Sequence, residues 1–318
     1  MDTPTLKQSV NQQREKLTLL LGKALLKLAK CCPPIMQLRI ELEALLEAEL
    51  PNIGYCKHLY VLDAQGVQVT ANITRTGQDL SHFARNRMTR PYMQEIIGHT
   101  DFKLSEAYIS RNKKRPSLTA IQVIRDESGE RIGFLGADYD LRELPGSLGV
   151  YQEPNSWRQI KGDPAIRGGL FLQHRTESEM DRQLDMVLPL LQELILEHGV
   201  FHGKLHFSSN RGTIWLVDNP YSYRILNIEE LCDPDICLAY PHMPYTQRAI
   251  VPAQQIMPVF NLFRTLRFAD DNIYLRAGSL NVCNGMVALN FSCDGSHYLP
   301  YDEFLNNGVK FWFGALGV

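Results

Sequence analysis

Arg90 directly precedes Pro91. Proline is favoured at the first helical position because its missing N–H would be unpaired there anyway, which places Arg90 at the start of a helix. Free backbone N–H groups and the helix dipole favour an anion at such a point. A guanidinium adds a two-pronged donor for a carboxylate or phosphate. By pattern alone, the commoner role is a surface arginine beside a neighbour's carboxylate. Asp138 shares its strand face with Ile132, Phe134 and Gly136, so its carboxylate must find a partner or reach solvent. It could accept a ligand ammonium or hydroxyl, or it could cap a turn. Tyr92 and Tyr108 each offer a ring and one hydroxyl, which suits a pocket wall and equally many cores. Thr119, in the middle of a strand candidate, is a further pocket candidate. Arg90 and Asp138 together could read a zwitterion, one group for each charge.

Other constellations carry less. His202 and His206 alternate with Phe201, Leu205 and Phe207, a strand pattern. At ~3.3 Å per residue the two rings are about 13 Å apart, too far to share a metal ion. Cys232 and Cys237 form one loose pair, with Cys283 and Cys293 farther on, which is poor zinc spacing. Asp233, Asp235, Asp270 and Asp271 form acidic pairs, and turn chemistry beside Pro234 explains the first two. No P-loop, dinucleotide fingerprint, nucleophile elbow or H-E-x-x-H helix occurs. Neither a metal nor a cofactor is expected.

The elements that position these residues follow from the hydrophobic period. Leu17, Leu20, Leu21, Ala24 and Leu28 recur at helical spacing among Lys16, Lys23, Lys27 and Lys30. Such a helix could lie on an anionic membrane surface, but it lacks Trp and Phe anchors and favours packing or dimerisation. Pro33-Pro34 must interrupt it, and a second amphipathic helix runs from Ile35 to Leu46. The period then falls to two. Strands are expected at His58 to Asp63 and Val67 to Ala71, helical segments from Asp79 to Gly98, then strands at Leu104 to Ser110, Ser117 to Arg125 and Arg131 to Asp140. Beyond a Gly- and Pro-rich stretch, a capping box of Thr176 with Glu179 opens a long helix. Strands are expected at Phe201 to Phe207, Thr213 to Asp218, Asn272 to Ser279, Met286 to Cys293 and Val309 to Phe313. The fold class is α+β, a PAS-like antiparallel sheet with long N-terminal helices, followed by a second α+β module whose similar element order suggests a second PAS-like domain. The divisions are 1–50 for the helices, 51–146 for the sheet domain, 147–175 for a linker and 176–318 for the second domain.

Four segments carry a resemblance: Tyr60-Val61-Leu62-Asp63-Ala64-Gln65-Gly66, Arg90-Pro91-Tyr92-Met93, Ser105-Glu106-Ala107-Tyr108-Ile109-Ser110, and Gly133-Phe134-Leu135-Gly136-Ala137-Asp138-Tyr139-Asp140-Leu141. In this order, residues about 57–144 resemble the PDC/Cache family, the PAS-like sensor domains of bacterial receptors. The resemblance implies a small metabolite, often a carboxylate or amino acid, held between sheet and covering helices. It makes Arg90, Tyr92, Tyr108, Thr119 and Asp138 the candidate ligand-binding residues. Tyr92 and Met93 stand where amino-acid-binding members carry Trp-Tyr, and Ser110 stands where an acid often follows the strand tyrosine.

The chain has 318 residues, 44% hydrophobic and 21% charged, an ordinary globular composition with room for about two domains. With 33 Lys and Arg against 35 Asp and Glu, the net charge of −2 argues against nucleic acid as main partner. No apolar run approaches a membrane span, and the polar start is no secretion signal. The seven cysteines form no disulfide framework, which suits a reduced, cytoplasmic setting. The resulting expectation is a soluble sensor, not an enzyme, that takes a small-molecule ligand, signals to a partner protein and dimerises through the stripe from Leu17 to Leu28. The alternatives are an enzyme using His297, Asp294 or Cys293, and a ligand-free dimeric adaptor.

Overall fold

The computed structural model describes residues 5–96, 100–110, 115–146, 151, 174–293 and 296–313. The chain divides into an N-terminal unit, Lys7–Ser147, and a C-terminal unit formed mainly by Leu148–Val318. Both combine helices with an antiparallel sheet, so the class is α+β.

In the N-terminal unit, α1 (Leu6–Ala29) and α2 (Arg39–Glu49) flank the turn at Pro33-Pro34. The strands are β1 (Cys56–Asp63), β2 (Asn72–Thr74) and β3 (Gly77–Asp79), then β4 (Phe102–Leu104), β5 (Tyr108–Ile109), β6 (Pro116–Arg125) and β7 (Arg131–Asp140). They form one sheet in the order β3-β2-β1-β7-β6-β4, with β5 also paired to β6. The short helix α3 (Pro91–Ile96) packs on one face: its Tyr92, Met93 and Ile96 share an apolar cluster with Tyr60, Leu62, Ile121, Val123 and Phe134. The N-terminal helices approach elsewhere. Glu43 of α2 accepts the Ala71 backbone N–H at 2.7 Å, and Arg14 of α1 donates to the Leu104 and Ser105 carbonyls at 3.1 and 2.8 Å.

Several elements differ from the sequence expectation. Of the stripe expected to form a dimer interface, Leu17, Leu21 and Leu28 are buried in the folded chain, with Leu25 beside them, and Leu20 is exposed. The exposed leucines of α1 are Leu19, Leu20 and Leu26. The expected return strand at Val67 to Ala71 is irregular, because the Thr70 side-chain oxygen takes the Val61 N–H that a regular ladder would pair with backbone. The stretch from Leu104 to Ser110 splits into β4 and β5 around Ser105, whose hydroxyl and amide both bond Thr119.

The C-terminal unit begins with α4 (Glu179–Glu197), whose capping box is Ser178 with Asp181 rather than Thr176 with Glu179. Strands β8 (Val200–His206), β9 (Arg211–Leu216) and β10 (Asn219–Asn227) follow, then α5 (Ile228–Cys232) and α6 (Ile256–Phe268). The chain continues through β11 (Leu275–Asn281), β12 (Met286–Phe291) and β13 (Ser296–Pro300) to α7 (Tyr301–Phe313). Val309 to Phe313, expected as a strand, is helical, and its apolar residues follow a break at Gly308, where φ is 56°.

The two units are alike in opening with helix, then strands, then helix, then strands, but they are wired differently. In the first, the final strand β7 lies beside the first strand β1. In the second, the order is β10-β9-β8-β11-β12-β13, so the strand entering from the helical connection lies beside the first and the final strand is an edge. The second unit's core is tied by Arg267, fully buried, which forks onto both oxygens of buried Asp181 at 2.8 Å.

Candidate functional site

Period-two alternation puts His58 of β1, Asp138 of β7 and Thr119 of β6 in one row across three strands, since His58 and Thr119 are each the direct register partner of Asp138. The next row on that face is Tyr60, Gly136 and Ile121. A Cβ on residue 136 would lie 2.2 Å from Tyr60 Cε2. Glycine therefore lets the Tyr60 ring lie across β7, which brings its hydroxyl to Asp138 Oδ1 at 3.3 Å.

Thr119, fully buried, donates its hydroxyl to the same Asp138 Oδ1 at 2.8 Å. Its hydroxyl has one proton, so at the 2.8 Å contact with the Tyr108 hydroxyl it is Tyr108 that donates. The result is a directed chain, Tyr108 to Thr119 to Asp138, with Tyr60 joining at the same oxygen. Asp138 Oδ2 is spared these bonds and has the His58 Nδ1 at 3.8 Å, beyond hydrogen-bond range. The Asp138 side chain keeps 21% of its surface exposed.

A guanidinium closes the other side of Tyr60, and it belongs to Arg87. Its Cζ lies 3.9 Å above the Tyr60 ring, a close cation–π contact. Arg87 is held there by donation to Gln68 Oε1 at 2.6 Å and Asn72 Oδ1 at 3.4 Å, while Gln68 bridges to Asn72 and to the Thr70 carbonyl. Burial pushes the Tyr60, Tyr92 and Tyr108 hydroxyls above the ordinary phenol range, and the Asp138 carboxylate adds to the rise in each. The three phenols are therefore neutral groups near one carboxylate, with a permanent cation stacked on the Tyr60 ring.

Of the residues singled out from sequence, Tyr108, Thr119 and Asp138 lie in one bonded chain, and Tyr92 lies buried in the α3–sheet cluster. Arg90 is half-buried at the head of α3, a helix of six residues. Sequence reasoning missed Tyr60, Arg87 and His58 as site residues. The strand alternation His58, Tyr60, Leu62 and the glycine two residues before Asp138 were signals for the first and last. Arg87 lies in irregular chain and had none.

The second unit's candidates are more scattered. His297 lies edge-on to the Phe291 and Trp312 rings at 5.8 and 5.2 Å. Cys293 is exposed and in no disulfide, and Asp294 falls outside the described residues. His202 and His206 stand on strand β8, and His202 stacks on Trp215 at 4.4 Å. None of the seven cysteines is in a disulfide, and among the described residues no group of three or more His, Cys, Asp or Glu could hold a metal ion. Among those residues no helix is long and apolar enough to cross a membrane.

The sequence matches no protein-family model and no curated protein. Solved structures similar to part of it include the ligand-binding domain of Campylobacter jejuni chemoreceptor Tlp3 in complex with L-valine, at 17% identity and a TM-score of 0.34 over 44% of this chain and 60% of that one. The ligand-binding domain of Pseudomonas fluorescens chemoreceptor CtaA in complex with L-serine gives 21% and 0.31, over 42% of this chain and 55% of that one. An extracellular ligand binding receptor from Desulfohalobium retbaense gives 13% and 0.33, over 42% and 25%. This chain thus spans well under two thirds of each. Likeness of this degree decides neither activity nor ligand, which rest on the site's own geometry.

Proposed function

We propose that the Lys7–Ser147 unit is a sensor domain for a small molecule bearing an ammonium group, with Asp138 as the acceptor. The observation that carries this reading is the division of labour on the carboxylate. Oδ1 is fixed by Thr119 and Tyr60, while Oδ2, on a side chain that keeps 21% of its surface exposed, has no donor at bonding distance among the described residues. A carboxylate held so firmly costs little further ordering when it accepts a charge-assisted hydrogen bond. Arg87, stacked on the Tyr60 ring, or Arg90, at the head of α3, gives a second charge for the carboxylate of an amino acid. That ligand class agrees with the resemblance of residues 57–144 to PDC/Cache sensors.

Signalling requires that the ligand bind one arrangement better than another. The elements next to the site are α3, packed on Tyr60 and Ile121, and the irregular chain that carries Arg87. Ligand-dependent change passed through them to a partner protein completes the proposed role. A thermal-shift screen of L-amino acids, simple amines and simple carboxylates tests it. Stabilisation by one or a few ammonium compounds, lost in Asp138→Asn, is the expected result. Stabilisation only by carboxylates without an amine, or none by any compound, overturns it.

A further inference from the structure

The exposed side of α1 combines charge with apolar surface in a way its internal packing does not use. Leu17, Leu21, Leu25 and Leu28 satisfy the core. On the opposite side Leu19, Leu20 and Leu26 are 77, 51 and 44% exposed. At 3.6 residues per turn, Lys16, Lys23, Lys27 and Lys30 fall within about 60° of one another and span about 20 Å along the axis. Leu19 and Leu26 border this column on one side and Leu20 on the other. The helical hydrogen bonding extends to Lys30, whose amide bonds the Leu26 carbonyl. From Lys16 to Ile40 there is no Asp or Glu, in a chain whose net charge is −2. Among the described residues none of the four lysines is in an ion pair.

We propose that this face docks on an anionic lipid surface. Lysine is a compact, strongly hydrated point charge on a long apolar stem, which can keep its ammonium among headgroups while the stem lies along apolar surface. Leucines at the margins of a lysine column then meet the outer acyl region, the arrangement of interfacial helices. The same column disfavours a second copy on this face. A two-fold interface would set four lysines against four, and like-charge juxtaposition is costly. Each lysine near an anionic bilayer contributes about fivefold to the partition constant, so four suffice for measurable, salt-sensitive binding without an aromatic anchor.

Sedimentation of the full chain with phosphatidylcholine vesicles, made with and without phosphatidylserine, tests this. Expected is binding to the acidic vesicles alone, weakened by raised salt, which screens surface charge. It should fall more than tenfold in Lys23→Gln/Lys27→Gln and severalfold in Leu19→Ser/Leu26→Ser, both of which change exposed positions and keep the wild-type melting temperature. Equal binding to neutral vesicles, no binding to acidic ones, or unchanged binding by the lysine variant overturns the proposal. So does a dimer in light scattering that dissociates in Leu19→Ser/Leu26→Ser, because a second copy would then own the face.

Discussion

Tyr60 and Gly136 are cross-strand partners, and the ring of one occupies the space a side chain on the other would need. The contact is with ring atoms between a cation–π partner on one side and Asp138 beyond the hydroxyl, so the ring cannot step aside without surrendering both. Gly136→Ala is therefore expected to destabilise the N-terminal unit by about 1–3 kcal/mol, the usual range for overpacking. It should also weaken ligand binding by more than that destabilisation explains. Chemical denaturation and a ligand titration on the same variant check the two parts. A variant as stable as the wild type would show that Tyr60 has another rotamer available.

Asp138→Asn keeps the shape of the side chain and the acceptor oxygen for Thr119, but removes the charge. The folded state should change little, by about 1 kcal/mol or less, because the partners of Oδ1 are neutral hydroxyls. Ammonium-dependent stabilisation should disappear. Calorimetric titration reads the binding loss and a thermal melt reads the fold, so the two consequences separate cleanly.

The two arginines near the site are expected to behave differently. Arg87 is buried, stacked on Tyr60 and bonded to Gln68 and Asn72. Arg87→Ala should cost about 2 kcal/mol or more in stability, since it removes a desolvated cation–π contact and strands the Gln68 acceptor. Arg90→Ala should leave the melting temperature nearly unchanged. If Arg90 reads the ligand carboxylate, its loss abolishes stabilisation by amino acids but spares stabilisation by amines. If Arg87 does so, Arg90→Ala binds both alike.

What the sequence disclosed depended on how local the cause was. The row His58–Asp138–Thr119 follows from strand alternation once the register is known, and Asp138 and Thr119 were legible because both sit in long strands with regular period. Arg87 was not legible, because its place is set by a bridge of Gln68 and Asn72 from a segment where Thr70 breaks the ladder. The stripe of α1 was read correctly as helical and apolar, and most of it is buried within the folded chain, since a helical period tells which side is apolar but not what it packs against. The second sheet showed the same limit at the level of topology. Its strands were mostly visible, but the reversal that places β11 rather than the final strand beside β8 leaves no mark in the period.

In the C-terminal unit, Asp181 serves two ends at once. Its backbone N–H and one carboxylate oxygen complete the Ser178 capping box, and both oxygens take the Arg267 fork with no solvent exposure. Arg267 also donates to the Leu275 and Thr176 carbonyls, which ties α6 to the start of α4 and to β11. Asp181→Asn leaves a buried guanidinium without its counter-charge, an error that costs about 3–5 kcal/mol. Urea unfolding should show that loss in the C-terminal unit's transition, while a site variant such as Asp138→Asn leaves this transition in place.

His202 gives the fold a pH dependence of definite sign. Burial, with Lys204 adding to it, pushes its imidazole down from 6.5 to about 4, while the ring stacks on Trp215 at 4.4 Å. Unfolding returns it to its ordinary value, so between these two pH values the unfolded chain binds more protons than the folded one. Stability is full above about pH 6.5 on this account, falls as the pH drops toward 4 and levels off below it. The whole loss should be about 2 kcal/mol, less than the full displacement implies because the ring is not completely enclosed. His202→Gln removes the titrating group and should flatten this part of the profile. Unfolding followed by tryptophan fluorescence at stepped pH measures both proteins. The assignment fails if the variant keeps the wild-type slope between pH 6.5 and 4.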